Sequence, residues 1–355
     1  MSDGATEQTQ SADRAQKRAA VRALLTERDA ESVLLTSAAA VNWYLDGART
    51  HVSLAGDPIV AVAVDHDRDA VLITSNEHAR LVAEELPTDL EVVDRPWFEP
   101  LAQATALTEK DVDSELRALR AVLSAREVDR FSRLGADAAH ALTRVLTAAD
   151  PTWTERQLAA RVASELVETG SDPLVVLVAG AGRPHPHPLP TDAPLGRRAM
   201  VVVCARRHGL IANLTRSIVF GRLTDDERDA QARILEVESH IFDATAPGRP
   251  LNDVLGDIAD AYPACGFAAD QWRAHHQGGA AGYAGRDPRA TPDTADRVQL
   301  GQAFAWNPWA DGAKVEDTVL LTGSEQHPVI QPLTVDHAWP VTTVAGRLRP
   351  VTLER

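Results

Sequence analysis

Over residues 18 to about 112, apolar positions come in short runs set between polar turns and one amphipathic stretch. "SVLLTS", "IVAVAV" and "AVLITS" are compact runs of the length a strand needs, and the last two flank a polar turn from Asp65 to Asp69. "EHARLVAEEL" has helical periodicity. This alternation predicts a small α/β domain. A long helical pattern follows from Asp113 to Ala148, with a break at Ser124–Glu127.

The remainder repeats one order of elements. Thr154 and Gln157 form a capping-box pair ahead of a helix that Gly170 ends. A strand, a Pro-rich connection ("GRPHPHPLP") and two strands joined at Arg206–Gly209 come next. Thr224 and Glu227 then repeat the capping box, Asn252 is placed to cap another helix ending near Gly266, and a hairpin is predicted over 303–321. Helix, helix, strand and hairpin thus occur twice, over about 122–221 and about 224–322. Two such halves are expected to pack their sheets together with the helices outside. A site would then lie where the hairpins meet.

Parity within the hairpin strands selects polar residues. In "LIANLTRS", Asn213 and Thr215 share a face and Leu214 and Arg216 take the other. In "KVEDTVLL", Val315, Asp317 and Val319 oppose Glu316, Thr318 and Leu320. Polar groups inside apolar strands must be satisfied internally or line a wet cavity.

Composition narrows the function classes. With 51 acidic and 36 basic residues the net charge is −15, which disfavours nucleic acid and anionic membrane surfaces as partners. Two cysteines, Cys204 and Cys265, make neither a disulfide framework nor a thiolate metal site. The first 17 residues are polar, lack the apolar core of a signal peptide and read as a disordered leader. No run reaches membrane-spanning length, and the expected location is the cytoplasm.

Four motifs in order carry a resemblance. "NLTRS" (213–217) stands against Asp-x-Thr-Arg-Thr, "HHQGG" (275–279) against His-Gly-x-Gly, "FAWNP" (304–308) against Phe-x-x-Glu-Pro, and "GAKVEDTVLLT" (312–322) against Gly-x-Arg-x-Glu-Asp-Thr-x-x-x-Thr. Residues 113–355 resemble the pita-bread catalytic domain of the creatinase, aminopeptidase P and prolidase family. Residues 18–112 resemble its smaller N-terminal α/β domain. The resemblance implies a mixed α/β fold, a homodimer and a small-molecule substrate.

In the metallopeptidases of that family two divalent ions are held by two Asp, one His and two Glu. Carried over one at a time, these positions fall on Val202, Asn213, His276 (His275 if the register slips), Asn307 and Glu316. Two divalent ions bring four positive charges, and one remaining carboxylate would leave a surplus of roughly +3 in a partly dry cleft. Amide oxygens ligate hard cations but add no charge, and valine cannot ligate. No metal site and no cofactor are therefore expected, with a divalent metal such as Mn or Co as the alternative.

Creatinase itself has this fold, works without metal, and is understood to use a histidine on the Pro-rich connection as its acid–base group. That position falls on His185, with His187 two residues on. Candidate catalytic residues are thus His185, His187, His276 and Glu316. Candidate substrate-binding residues are Asn213, Arg216, His275, Tyr283 (where peptidases carry a second histidine), Arg286 as a carboxylate clamp, and Asn307. Arg49 and His51 join them, from the stretch matching residues that reach a partner's site in creatinase. The reading these support is a metal-independent, creatinase-like hydrolase of a C–N bond in a small amidine, amide or amino-acid derivative. The alternatives are an Xaa-Pro dipeptidase or aminopeptidase P-type metallopeptidase, and a non-catalytic pita-bread binding protein.

Overall fold

The structure is a computed structural model that describes residues 3–183, 185–310 and 312–355, with side chains from residue 12 onward. It divides into two compact units: one ends at Glu127 and includes His208–Leu210, and the other comprises Val128–Arg207 and Ile211–Arg355.

The first unit begins with α1 (Asp3–Glu27), then β1 (Ser32–Leu35), α2 (Ala38–Tyr44), β2 (Val60–Asp65), β3 (Asp69–Thr74), α3 (His78–Glu84), β4 (Glu91–Arg95), β5 (Leu107–Thr108) and α4 (Asp113–Ala121). Its five strands are ordered β4-β3-β2-β1-β5. The three apolar runs are β1, β2 and β3, and the polar turn at 65–69 makes β2 and β3 an antiparallel pair. The stretch expected to be a disordered leader is instead helical from Asp3. Arg14, almost fully buried, bonds Asp89 at 3.0 Å and the Tyr44 carbonyl at 3.1 Å, and Lys17 lies 2.6 Å from Glu127. Val21, Leu24 and Leu25 bury the C-terminal part of this helix, and ion pairs of Arg14 and Lys17 hold the part before it, which a search for apolar runs passes over. The unit also extends to Glu127 rather than 112, because α4 belongs to it.

The second unit follows the predicted order. Its elements are α5 (Ala125–Ala148), α6 (Glu155–Glu168), β6 (Asp172–Gly180), β7 (Arg198–Arg207) and β8 (Leu210–Val219), then α7 (Asp225–Ala244), α8 (Leu251–Ala264), β9 (Gly278–Ala281), β10 (Ala303–Trp306), β11 (Trp309–Ala310), β12 (Ala313–Lys314) and β13 (Asp317–Gly323). The chain closes with β14 (Pro328–Pro332), β15 (Val341–Val344), β16 (Arg347–Pro350) and β17 (Leu353–Glu354). Both capping boxes form, at Thr154–Gln157 and Thr224–Glu227. Asn252 does not cap α8: it lies inside the first turn, and Pro250 takes the cap position.

Two four-stranded sheets result, ordered β17-β8-β7-β6 and β14-β13-β10-β9. They meet along β8 and β13. Thr215 N donates to the Glu316 carbonyl at 3.0 Å, and Asn213 N donates to Thr318 Oγ1 at 2.7 Å. The helices α7 and α8 cover the second sheet through a core that includes Ile241, Phe242, Leu255, Tyr262, Phe304 and Trp306. A mixed α/β pita-bread architecture with paired half-sheets is the outcome.

Candidate active site

The seam between the sheets opens into a cleft of about 480 Å³, lined by residues of both halves of the second unit. β8 supplies Asn213 and β7 supplies Val202 and Cys204. The segment entering β9 brings His276, the turn after β9 brings Arg286 and Arg289, and the 303–323 hairpin brings Asn307, Lys314 and Glu316. His187 comes from the Pro-rich connection, which is tied to β6 where Val178 N donates to the Pro188 carbonyl at 3.1 Å.

Glu316 sets the electrostatics. It is almost fully buried and accepts from Arg286 Nη2 at 2.7 Å and Thr215 Oγ1 at 2.7 Å, with Lys314 Nζ at 4.0 Å. Burial pushes its carboxyl up, but Lys314, Arg286 and the Thr215 hydroxyl outweigh burial and hold it below the usual carboxylate range. Burial and the Arg286 charge lower the Lys314 ammonium despite Glu316.

Three histidines gather opposite. His275 Nε2 and His187 Nε2 are 3.1 Å apart, so one ring donates and the other accepts. His275 and His276 stack with ring centres 4.5 Å apart. Burial, then the Lys314 charge, brings His275 down to about 2; burial, then Arg286 and Arg289, brings His276 down to about 3. His187 is lowered by burial and then by Lys314. All three are neutral imidazoles at neutral pH. The loop bearing His275 and His276 is pinned by Gln277, whose amide donates to the Trp272 and His275 carbonyls at 2.7 Å each and accepts from Tyr262 at 2.9 Å.

Several buried polar atoms around this cleft have no hydrogen-bond partner among the described residues: Asn213 Oδ1, Asn307 Oδ1, Arg286 Nε, Lys314 Nζ and His276 Nδ1. Buried groups of this kind are costly unless something binds them, so their convergence on one cavity marks a ligand site. Cys204 is not a nucleophile here, because burial and the nearby Glu316 push its thiol up to about 12.

The expected residues divide. His187, His275, His276, Asn213, Asn307, Arg286 and Glu316 come together. His185 does not: it lines a separate cavity of about 200 Å³ with Arg183, Arg198 and Ser217. Arg216 points to the opposite face, as its parity requires, and bonds Asp317 at 2.8 Å and the Thr334 carbonyl at 2.8 Å. Tyr283 is buried in the core and is not part of the cleft lining. Arg49 is bound to Glu85 in the first unit, and neither it nor His51 lines the cleft. Arg286, expected as a carboxylate clamp, is partly committed to Glu316. The sequence reading missed Lys314 and Arg289. Lys314 was accessible from parity, since it shares a strand face with Glu316. Arg289 is placed by an irregular turn that no periodicity encodes.

A metallopeptidase family M24 model matches residues 129–323. This chain belongs to metallopeptidase family M24. The probable dipeptidase PepE of Mycobacterium tuberculosis is 27% identical over 237 residues, or 63% of this chain; the match spans 62% of that relative's length. Among solved structures, the dipeptidase PepE from Mycobacterium ulcerans superposes with a TM-score of 0.75 at 19% identity, covering 97% of this chain and 99% of that one. The prolidase from Pyrococcus horikoshii gives 0.73 at 17% identity, covering 90% and 98%. These likenesses share the fold, and the relatives' names fit the dipeptidase expectation better than the creatinase-like one. Among the described residues no helix is long and apolar enough to cross a membrane.

The family's metal pair does not fit the residues present. Val202 has no donor, Asn213 and Asn307 carry no charge, and the counter-ions of Glu316 are Arg286 and Lys314. His187, His275 and His276 do offer three nitrogens within 4.8 Å of one another, the donor set of a single transition-metal ion. Lys314, Arg286 and Arg289 face that trio and repel a cation there.

Proposed function

We propose that this chain hydrolyses the amide C–N bond of a dipeptide-sized amino-acid derivative, using imidazole in place of a metal pair. The peptidase part of this reading is supported by family membership and by the relatives' names. The metal-free part is supported by one observation: Glu316, the single acid lining the cleft among the described residues, already has two protein cations as counter-ions.

His187 is the general base. It is exposed at the cleft while His275 is buried, and lowering keeps it unprotonated at neutral pH. The neutral ring takes a proton from water, and the water oxygen bonds to the substrate carbonyl carbon. Arg286 Nε, a buried donor without a partner among the described residues, is available to the developing oxyanion. The imidazolium then returns its proton to the leaving nitrogen as the C–N bond breaks, consuming one water. Asn213 Oδ1 and Asn307 Oδ1 accept hydrogen bonds from substrate N–H groups.

The test combines turnover with elemental analysis. Purified protein is expected to hydrolyse members of a panel of dipeptides, including Xaa-Pro, and small amides, with no bound divalent metal and no loss of rate in chelator. Turnover that appears only with added manganese or cobalt would overturn the imidazole mechanism and leave the peptidase reading intact. Binding without turnover across the panel would sink the enzyme reading.

A further inference from the structure

Counting the formal charges that line the cleft shows an imbalance the proposed hydrolysis does not use. Among the described residues Lys314, Arg286 and Arg289 face one carboxylate, Glu316, and the three nearby imidazoles are neutral. The cations lie at two depths. The Lys314 side chain is only 1% exposed and its Nζ has no hydrogen-bond partner among the described residues, although Glu316 lies 4.0 Å away. Arg289 is exposed at the rim. Arg286 lies beside Glu316 and still offers its buried Nε. A second observation agrees: the protein as a whole carries −15, so this cleft opposes the sign of the chain. A local excess of positive charge with unpaired donors stabilises an anion by charge-assisted hydrogen bonds, strongly so where water is excluded.

The geometry points to a dicarboxylate substrate, an amide of an acidic amino acid or similar dianion. One carboxylate sits deep against Lys314, the other sits at the rim against Arg289, and the scissile amide lies between, alongside His187. This rests on the proposed function for the reaction but not for the binding. Among the described residues three formal cations against one acid leave two positive charges, which a dianion neutralises and a monoanion does not, and an anion against Lys314 favours the ammonium form that burial opposes. The two asparagine oxygens face the N–H groups of such a molecule, so carboxylates and amide hydrogens both find partners.

Calorimetry on the full chain, at low and moderate salt, tests it with succinate, glutarate, acetate, acetamide and inorganic phosphate as probes. Succinate or glutarate is expected to bind at least about ten-fold more tightly than acetate, with affinity falling as salt rises. Arg289→Gln, an exposed substitution that leaves the core untouched, is expected to weaken the dicarboxylate about ten-fold and acetate much less. Lys314→Met is expected to weaken both. Acetate or acetamide binding as well as the dicarboxylates, or Arg289→Gln leaving their affinity unchanged, would overturn the inference. So would phosphate binding more tightly than every dicarboxylate, which would assign the cleft to a phosphorylated ligand. Dicarboxylate binding without turnover of any acidic amide keeps this inference and removes the proposed reaction. Turnover of neutral amides with no preference for acidic ones does the reverse.

Discussion

His185 and His187 sit two residues apart on one extended, proline-spaced segment, yet they line different cavities. Parity alone puts both on one side, whereas in the structure the segment carrying His187 is tied to β6 by the bond from Val178 N to the Pro188 carbonyl. The consequence is measurable. His187→Ala is expected to lower kcat about 10²- to 10⁴-fold, the range for loss of a general base, while His185→Ala changes it little. Steady-state kinetics on both variants separates them, and equal losses would contradict the assignment. The protonation of His187 matters in the same experiment. Its pKa lies below the ordinary value of 6.5, so the acid limb of kcat/KM is expected below that pH, with full activity at neutrality. At this scale the sequence made seven of the cleft residues legible, because strand parity and motif order specify which side chains face the seam. It left Lys314 overlooked within reach of the same rule, and it gave no signal for Arg289, whose place depends on a turn after β9.

Strand β13 divides chemistry from support at its first residue. Glu316 faces the cleft, and Asp317, one residue on, faces a buried network behind the sheet. There Arg349 donates to Glu238 at 2.6 Å twice and to Asp317 at 2.7 Å, and Arg216 donates to Asp317 at 2.8 Å. Two guanidinium groups meet two carboxylates, so the network is neutral as a whole. Removing one member leaves an uncompensated buried charge. Arg349→Met is therefore expected to destabilise the protein by about 3–5 kcal/mol in urea unfolding, with kcat of the surviving folded fraction nearly unchanged. A loss under about 1 kcal/mol would mean the pairs are replaceable by apolar packing. β9 carries a different constraint. Gly278 has φ +102°, and a Cβ there would come within 2.2 Å of the Ala305 carbonyl on β10. Gly278→Ala should push β9 away from β10, displace His276 two residues before it, and lower both melting temperature and turnover. Element order and the repeated halves were legible because capping boxes and strand parity are local signals. The charged helix α1 was not, since Arg14 and Lys17 are held by partners such as Asp89 and Glu127, far along the chain.

Across the whole molecule, a fold that serves metallopeptidases surrounds a cleft with protein cations and neutral imidazoles, and this imposes a pH dependence on folding. His275 and His276 titrate at about 2 and about 3 in the folded protein and at 6.5 when exposed in the unfolded chain. Between those limits the unfolded state binds more protons than the native one, so stability rises with pH there. The contribution of these two groups is complete above 6.5 and is lost as pH falls from 6.5 toward 3, because protonation then draws the chain into the unfolded state. Melting temperature measured from pH 7.5 to 4 is expected to fall through this window, and His275→Asn together with His276→Asn is expected to flatten the slope. A ligand that brings negative charge into the cleft acts in the opposite sense: it stabilises the imidazolium form, so it should raise the melting temperature more at pH 5 than at pH 7.5. A cation held by the three imidazoles would act in reverse, binding only the unprotonated rings and protecting more at pH 7.5 than at pH 5. Comparing the shifts produced at the two pH values by zinc and by a dianion whose charge is constant over that range, such as ethane-1,2-disulfonate, therefore separates an anion cleft from a metal cleft without any assay of turnover.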